Sequence, residues 1–238
     1  MRAGTVRFWL RATMAAIALL IGPPAGYVAW DNLVANNFGP IEQGRLYRSA
    51  QLSAHVLTRV VQDHHIKTVV NLRGVNVNKI WYREELAATT KAGATQVDIS
   101  LSASEWLSRV QLRALVNVLD TSDYPLLIHC QWGSERTGLA SAIATLLRSG
   151  STLEDARNQF SLAYLYVRAG SGKVMAEHID QYEYWLVKNQ WVHTPERFRR
   201  WVDQGFIPGT PSREQWPYDP YPLVVTRPGK PGAETLKR

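Results

Sequence analysis

The sequence is that of an α/β protein, on three observations. Apolar, β-branched runs at 66–72, 95–101 and 126–128 read as buried strands. The segments between them carry apolar residues at helical spacing. In residues 126–138 an apolar strand runs through a tight loop straight into a helix, so strand and helix alternate along the chain. Hydrophobic residues make up 45% of the sequence, enough to bury a core.

Arg2, Arg7 and Arg11 precede residues 12–30, which carry no charge and end at Asp31. That length suits a bilayer span of about 20 residues. Trp9 at one end, and Tyr27 and Trp30 at the other, suit the two interfaces. The expectation for 1–31 is a single-pass transmembrane anchor with a cytoplasmic N-terminus and the domain on the outer or periplasmic side. The alternative is a cleaved signal peptide with its apolar core at 12–21, leaving a secreted or periplasmic protein. Residues 32–40 read as a linker, 41–188 as the domain and 189–238 as a Trp/Pro-rich extension.

Within the domain, 41–49 suits an edge strand and turn. A helix over 53–63 places Val56, Leu57, Val60 and Val61 on one side. His64 and His65 read as a helix end, because adjacent side chains diverge and no further ligand is near. The strand 66–72 stops at Arg73-Gly74. A helix over 79–91 stops at Gly93, and the strand 95–101 turns Val97, Ile99 and Leu101 inward with Asp98 opposite. Ser104 would cap a helix over 105–119, and Tyr124-Pro125 turns the chain into the next strand. Ala140, Ala142 and Ala144 let the helix 139–148 pack closely. Thr152 and Asp155 form a capping box that opens a helix over 153–160, and 173–188 is the final helix. The extension is expected to be irregular, with Trp191, Trp201 and Trp216 clamping it to the domain and 227–238 disordered.

A net charge of +7 and a pI near 9.6 fit nucleic acid, anionic lipid or an anionic substrate. No zinc finger, RNA-binding signature or long Lys/Arg run supports nucleic acid, so none is expected as a partner. One cysteine excludes an intramolecular disulfide framework.

That cysteine, Cys130, sits where the strand 126–129 ends. A loop entering a helix can turn successive N–H groups inward, and with the helix's positive end these form an anion cradle. The same field favours a thiolate. Gln131, Trp132, Gly133, Ser134, Glu135 and Arg136 would wrap a phosphoryl group, with the planar fork of Arg136 over two of its oxygens. The thiolate would attack phosphorus and form a phosphocysteine intermediate. Gly133 suits a backbone that passes close to the ligand. Thr137 or Ser134 would donate to the leaving thiolate. No metal or cofactor is called for.

His129-Cys130, five residues, then Arg136-Thr137-Gly138 resembles the signature loop of the cysteine-based protein-tyrosine and dual-specificity phosphatases. The likeness spans about residues 38–187, including Gly44-Arg45-Leu46-Tyr47-Arg48-Ser49-Ala50-Gln51 and 66–73. It is nearest the atypical branch of plants, fungi and bacteria. The resemblance implies a central, mostly parallel sheet flanked by helices and phosphotyrosine or dual-specificity protein substrates, while membrane attachment would put a phospholipid substrate within reach. The resemblance also implies a supporting role for His129, bracing the loop. Three acids are candidates to protonate the leaving group: Glu135 and Asp98 equally, then Glu105. The rivals are a lipid phosphate phosphatase and a catalytically weak phosphate-binding module.

Overall fold

The computed structural model describes residues 36–212, 223–229 and 234–235. Their strands are β1 (Gly39–Glu42), β2 (Leu46–Ser49), β3 (Thr68–Asn71), β4 (Thr95–Ile99), β5 (Leu126–His129), β6 (Leu223–Thr226) and β7 (Glu234–Thr235). They form one sheet in the order β1-β2-β5-β3-β4-β6-β7. The central four run parallel. Antiparallel strands close both edges, β1 against β2 and β6 with β7 against β4. The sheet is therefore mixed. The turn between β1 and β2 is too short for a crossover, so that pair can only be antiparallel.

The helices are α1 (Ala54–Asp63), α2 (Ile80–Lys91), α3 (Arg109–Thr121), α4 (Glu135–Leu146), α5 (Leu153–Arg157), α6 (Val174–Lys188) and α7 (Pro195–Arg200). The strands alternate between two apolar layers, as a period of two requires. Tyr47, Val69 and Leu127 meet Leu57 and Val61 of α1. Leu46, Val70 and Ile128 meet residues of α3, α4 and α6. Because both faces are covered, Asp98 is as buried as Val97 and Ile99.

Several elements differ from the sequence reading. The third helix begins at Arg109, with Ser108 and Gln111 forming its capping box. Ser104 does not cap it, since Trp106 bridges to Ser212 and the Leu107 N–H donates to His178 Nε2 at 3.2 Å. The helix after the cysteine starts at Glu135, four residues early, so Arg136 and Thr137 lie in its first turn. Residues 36–40, expected as part of a linker, pack against the domain: Asn37 is buried and β1 begins at Gly39. The described part of the extension is not irregular. α7 starts on a Thr194 cap with Pro195 at its first turn, and β6 completes the sheet beside β4. Phe198, Trp201 and Phe206 are buried in the larger apolar cluster. Arg199 pairs with Asp120 at 2.7 Å, and Arg113 with Asp203 at 3.2 Å. Trp216 and the expected anchor over 12–30 lie outside the described residues. Among the described residues, no helix is long and apolar enough to cross a membrane.

Candidate active site

Register aligns one row of residues across the carboxyl ends of the parallel strands. Ser49 pairs with His129, His129 with Asn71, and Asn71 with Asp98. Ligands of open α/β sheets gather at this edge. Cys130 is the next residue of β5's chain and is 1% exposed. The loop from Gln131 to Ser134 then turns into α4, whose N-terminus therefore points back at the cysteine.

Neighbouring segments hold the loop. Gly133 has φ +71, and a Cβ there would lie 2.8 Å from Ala50 N and 2.9 Å from Ser49 C. Only glycine fits both the turn and the approach to the end of β2. The fully buried guanidinium of Arg48 donates to Gly133 O at 2.7 Å and to Gln159 O at 2.8 Å. Its Cζ stands 3.6 Å over the Tyr164 ring. Burial lowers its pKa to about 10, against the pull of Tyr164 and Cys130. Asn37 Nδ2 donates to Trp132 O at 3.0 Å and Tyr164 O at 3.2 Å. The Ser134 hydroxyl donates to Leu165 O at 3.1 Å, and Gln51 N–H donates to Gln131 O at 3.2 Å. Arg48 and Asn37 escaped the sequence reading as loop supports. The available signal was a charged residue inside the apolar strand Leu46-Tyr47-Arg48.

The electrostatics favour an anion. Burial pushes the Cys130 thiol up, but Arg136, the Thr137 hydroxyl and N–H, and the Trp132 N–H outweigh it. The net pKa is lowered, so the thiolate forms more readily than in a free thiol. Among the described residues Arg136 makes only long contacts, 3.5 Å to Leu72 O and 3.5 Å to Leu101 O, and its buried Nε has no hydrogen-bond partner. Arg73 lies within electrostatic reach of both Arg136 and Cys130, and desolvation chiefly lowers its pKa. It is held by neutral groups, Gln51 Oε1 at 2.8 Å and the Trp81 ring at 3.6 Å. Such donors suit a dianionic phosphoryl group.

The structure separates the candidate acids. Asp98 is fully buried. Its oxygens accept from Asn71 at 2.8 Å, Gln96 at 3.1 Å and the Tyr82 hydroxyl at 2.7 Å. Burial raises its pKa despite those bonds. Asn71 also donates to Gly74 O at 3.2 Å, so Asp98 supports the turn carrying Arg73, with both its oxygens buried and hydrogen-bonded. Glu135 is half-buried in the first turn of α4, beside Gly172. Glu105 is half-buried in the irregular segment before α3. Gln131 and Trp132 are exposed at the mouth, Trp132 by 66%, while Gly133, Ser134 and Thr137 are buried.

Residues 32–204 match the model of the tyrosine phosphatase family. That match covers most of the sequence, and the chain belongs to this family, whose catalysis runs through a cysteine. No curated protein matches it by sequence. Among solved structures it is similar to the core catalytic domain of the PP-IP phosphatase SIW14 from S. cerevisiae. That match has 22% identity, covers 65% of this chain and 93% of that one, and has a TM-score of 0.43. TpbA of P. aeruginosa matches at 22% identity over 61% of this chain and 92% of its own, with a TM-score of 0.41. A putative phosphatase of Shewanella putrefaciens matches at 13% identity over 69% and 99%, with a TM-score of 0.47.

Proposed function

We propose that this protein hydrolyses phosphomonoesters through a phosphocysteine on Cys130, with phosphotyrosine-bearing protein as the substrate class. The carrying observation is a buried cysteine of lowered pKa at a helix N-terminus, facing an arginine whose Nε has no hydrogen-bond partner among the described residues. Cys130 attacks phosphorus, and the loop N–H groups with Arg136 hold the equatorial oxygens. Glu135 protonates the leaving oxygen and then takes a proton from the attacking water. Thr137 donates to the departing thiolate. The exposed Trp132 offers a flat face to an aryl ring.

A second reading, a lipid phosphate substrate, is supported by Leu162, Leu165 and Val167. All three are exposed, in the segment that Asn37 and Ser134 tie to the loop. The uncharged stretch 12–30 would bring such a substrate within reach if it anchors the chain in a membrane. Protease protection in sealed vesicles tests that placement.

The test of function is phosphate release by the full chain from phosphotyrosine peptide, phosphoserine peptide, phosphoinositide and a glycerolipid phosphate. Turnover on the first that Cys130→Ser abolishes is expected. Turnover on a lipid alone would select the second reading. None on any, from folded protein, would favour a phosphate-binding module. Glu135→Gln should slow alkyl phosphates more than aryl phosphates with good leaving groups, and Glu105→Gln should not.

A further inference from the structure

His129, the residue before the nucleophile, is buried, and its two ring nitrogens both face acceptors. Nδ1 lies 3.4 Å from the carbonyl oxygen of Cys130. Nε2 lies 3.2 Å from Glu85 Oε1, an ion-pair contact in which neither atom makes an aligned hydrogen bond among the described residues. A neutral imidazole has one N–H and would turn a lone pair toward one of these oxygens. A ring protonated on both nitrogens donates toward the carbonyl and sets its charge against the carboxylate. Glu85 comes from α2 and is 2% exposed. Its other oxygen accepts from Gln51 Nε2, and Gln51 accepts from Arg73. The network thus runs from Arg73, near the phosphate cradle, through Gln51 and Glu85 to the ring beside Cys130.

We propose that Glu85 is a positioning residue for the nucleophile: its buried carboxylate holds the His129 ring, protonated on both nitrogens, against the Cys130 carbonyl. A buried carboxylate is costly to the fold unless it is paired, and here its partner adjoins the reacting residue. The imidazolium then adds its charge to that of Arg136 in favouring the thiolate. Arg73 after β3, Tyr82 from α2 and Asp98 from β4 act on Glu85, while Arg48 from β2 and Arg136 from α4 act on Cys130 beside the ring. Burial opposes the charged ring, but Glu85 outweighs it and the pKa of His129 is raised.

The inference rests on Cys130 being the nucleophile, so its test reads the thiolate directly and not turnover. The chain has one cysteine, so the pH dependence of its alkylation by iodoacetamide reports that thiol alone. In the full chain, Glu85→Gln should raise the midpoint by about one pH unit, roughly tenfold less thiolate at a pH below both midpoints. Glu85→Asp should restore part of the shift. In a His129→Asn background, Glu85→Gln should add almost nothing. An unchanged midpoint in folded Glu85→Gln, or a full additional shift in the His129→Asn background, would overturn the proposal. Should Glu85→Gln not fold, the NMR titration of the wild-type His129 ring decides, and a ring neutral at pH 7 overturns it. Failure of the phosphatase reading would look different: no turnover, with the alkylation profile intact.

Discussion

Gly133→Ala tests how closely the loop depends on the end of β2. Two costs apply. At φ +71 an alanine is strained by roughly 1–2 kcal/mol. Its Cβ would also lie 2.8–2.9 Å from Ala50 N, Ser49 C and Asn37 Nδ2, two of them backbone atoms of the strand end. The strand end cannot swing away as a side-chain tip can, so the loop must move by about half an ångström, carrying the N–H groups that face the phosphate. Misplacement of about 1 Å can cost on the order of 100-fold in rate. The expected result is a kcat/KM on an aryl phosphate lowered roughly 10- to 100-fold, with about 2–3 kcal/mol lost in urea denaturation. Gly44→Ala is the control, since Gly44 has φ +76 but nothing within 4 Å of a Cβ. It should lose only the strain, about 1 kcal/mol, and keep its turnover. Wild-type activity in Gly133→Ala, or equal losses in both variants, would mean that the loop does not depend on its close approach to the end of β2.

Other outcomes follow from the same contacts. Arg48→Met removes a buried donor from Gly133 O and Gln159 O, and should destabilise by about 3 kcal/mol or more in urea denaturation while slowing turnover. Trp201→Ala empties a site in the main core and should cost roughly 3–5 kcal/mol by the same measurement; a change under about 1 kcal/mol would mean that the tail is dispensable. His178 donates from Nδ1 to Val174 O at 2.8 Å and accepts at Nε2 from Leu107 N at 3.2 Å, so its ring is neutral. Burial lowers its pKa to about 4. Below about pH 6.5 the unfolded chain gains a proton that the fold refuses, so stability should fall by roughly 3 kcal/mol between pH 6.5 and 4. Urea midpoints against pH should show that slope, and it should flatten in His178→Gln. The rising limb of kcat/KM against pH should lie below the ordinary thiol range, because the Cys130 pKa is lowered, and Arg136→Lys should move it up.

Sequence spacing was enough to find the strands around the cysteine and the helices between them, because burial on both faces leaves a continuous apolar run such as Leu126-Leu127-Ile128. Cys130 and Arg136 were legible for a similar reason: loop and helix are contiguous, so the site's first contacts lie within seven residues of sequence. Its supports were not. Arg48, Asn37 and Glu85 reach the loop or its histidine from 85, 95 and 44 residues away. Asp98 misled because alternation with Val97 and Ile99 implied a solvent face, and α2 covers that face, with Tyr82 donating to Asp98. The tail misled because proline reads as a mark of irregular chain, whereas Pro195 opens α7 in its first turn. Trp201, Phe198 and the run Leu223-Val224-Val225 were signals of burial there.

A phosphocysteine on Cys130 is a covalent intermediate that rapid quenching can trap. The full chain would be mixed briefly with a radiolabelled aryl phosphate, quenched in denaturant and mapped by peptide. Label on the peptide containing Cys130, absent from Cys130→Ser, is the expected result. Steady turnover with no label on that peptide, or label on another residue, would contradict the mechanism.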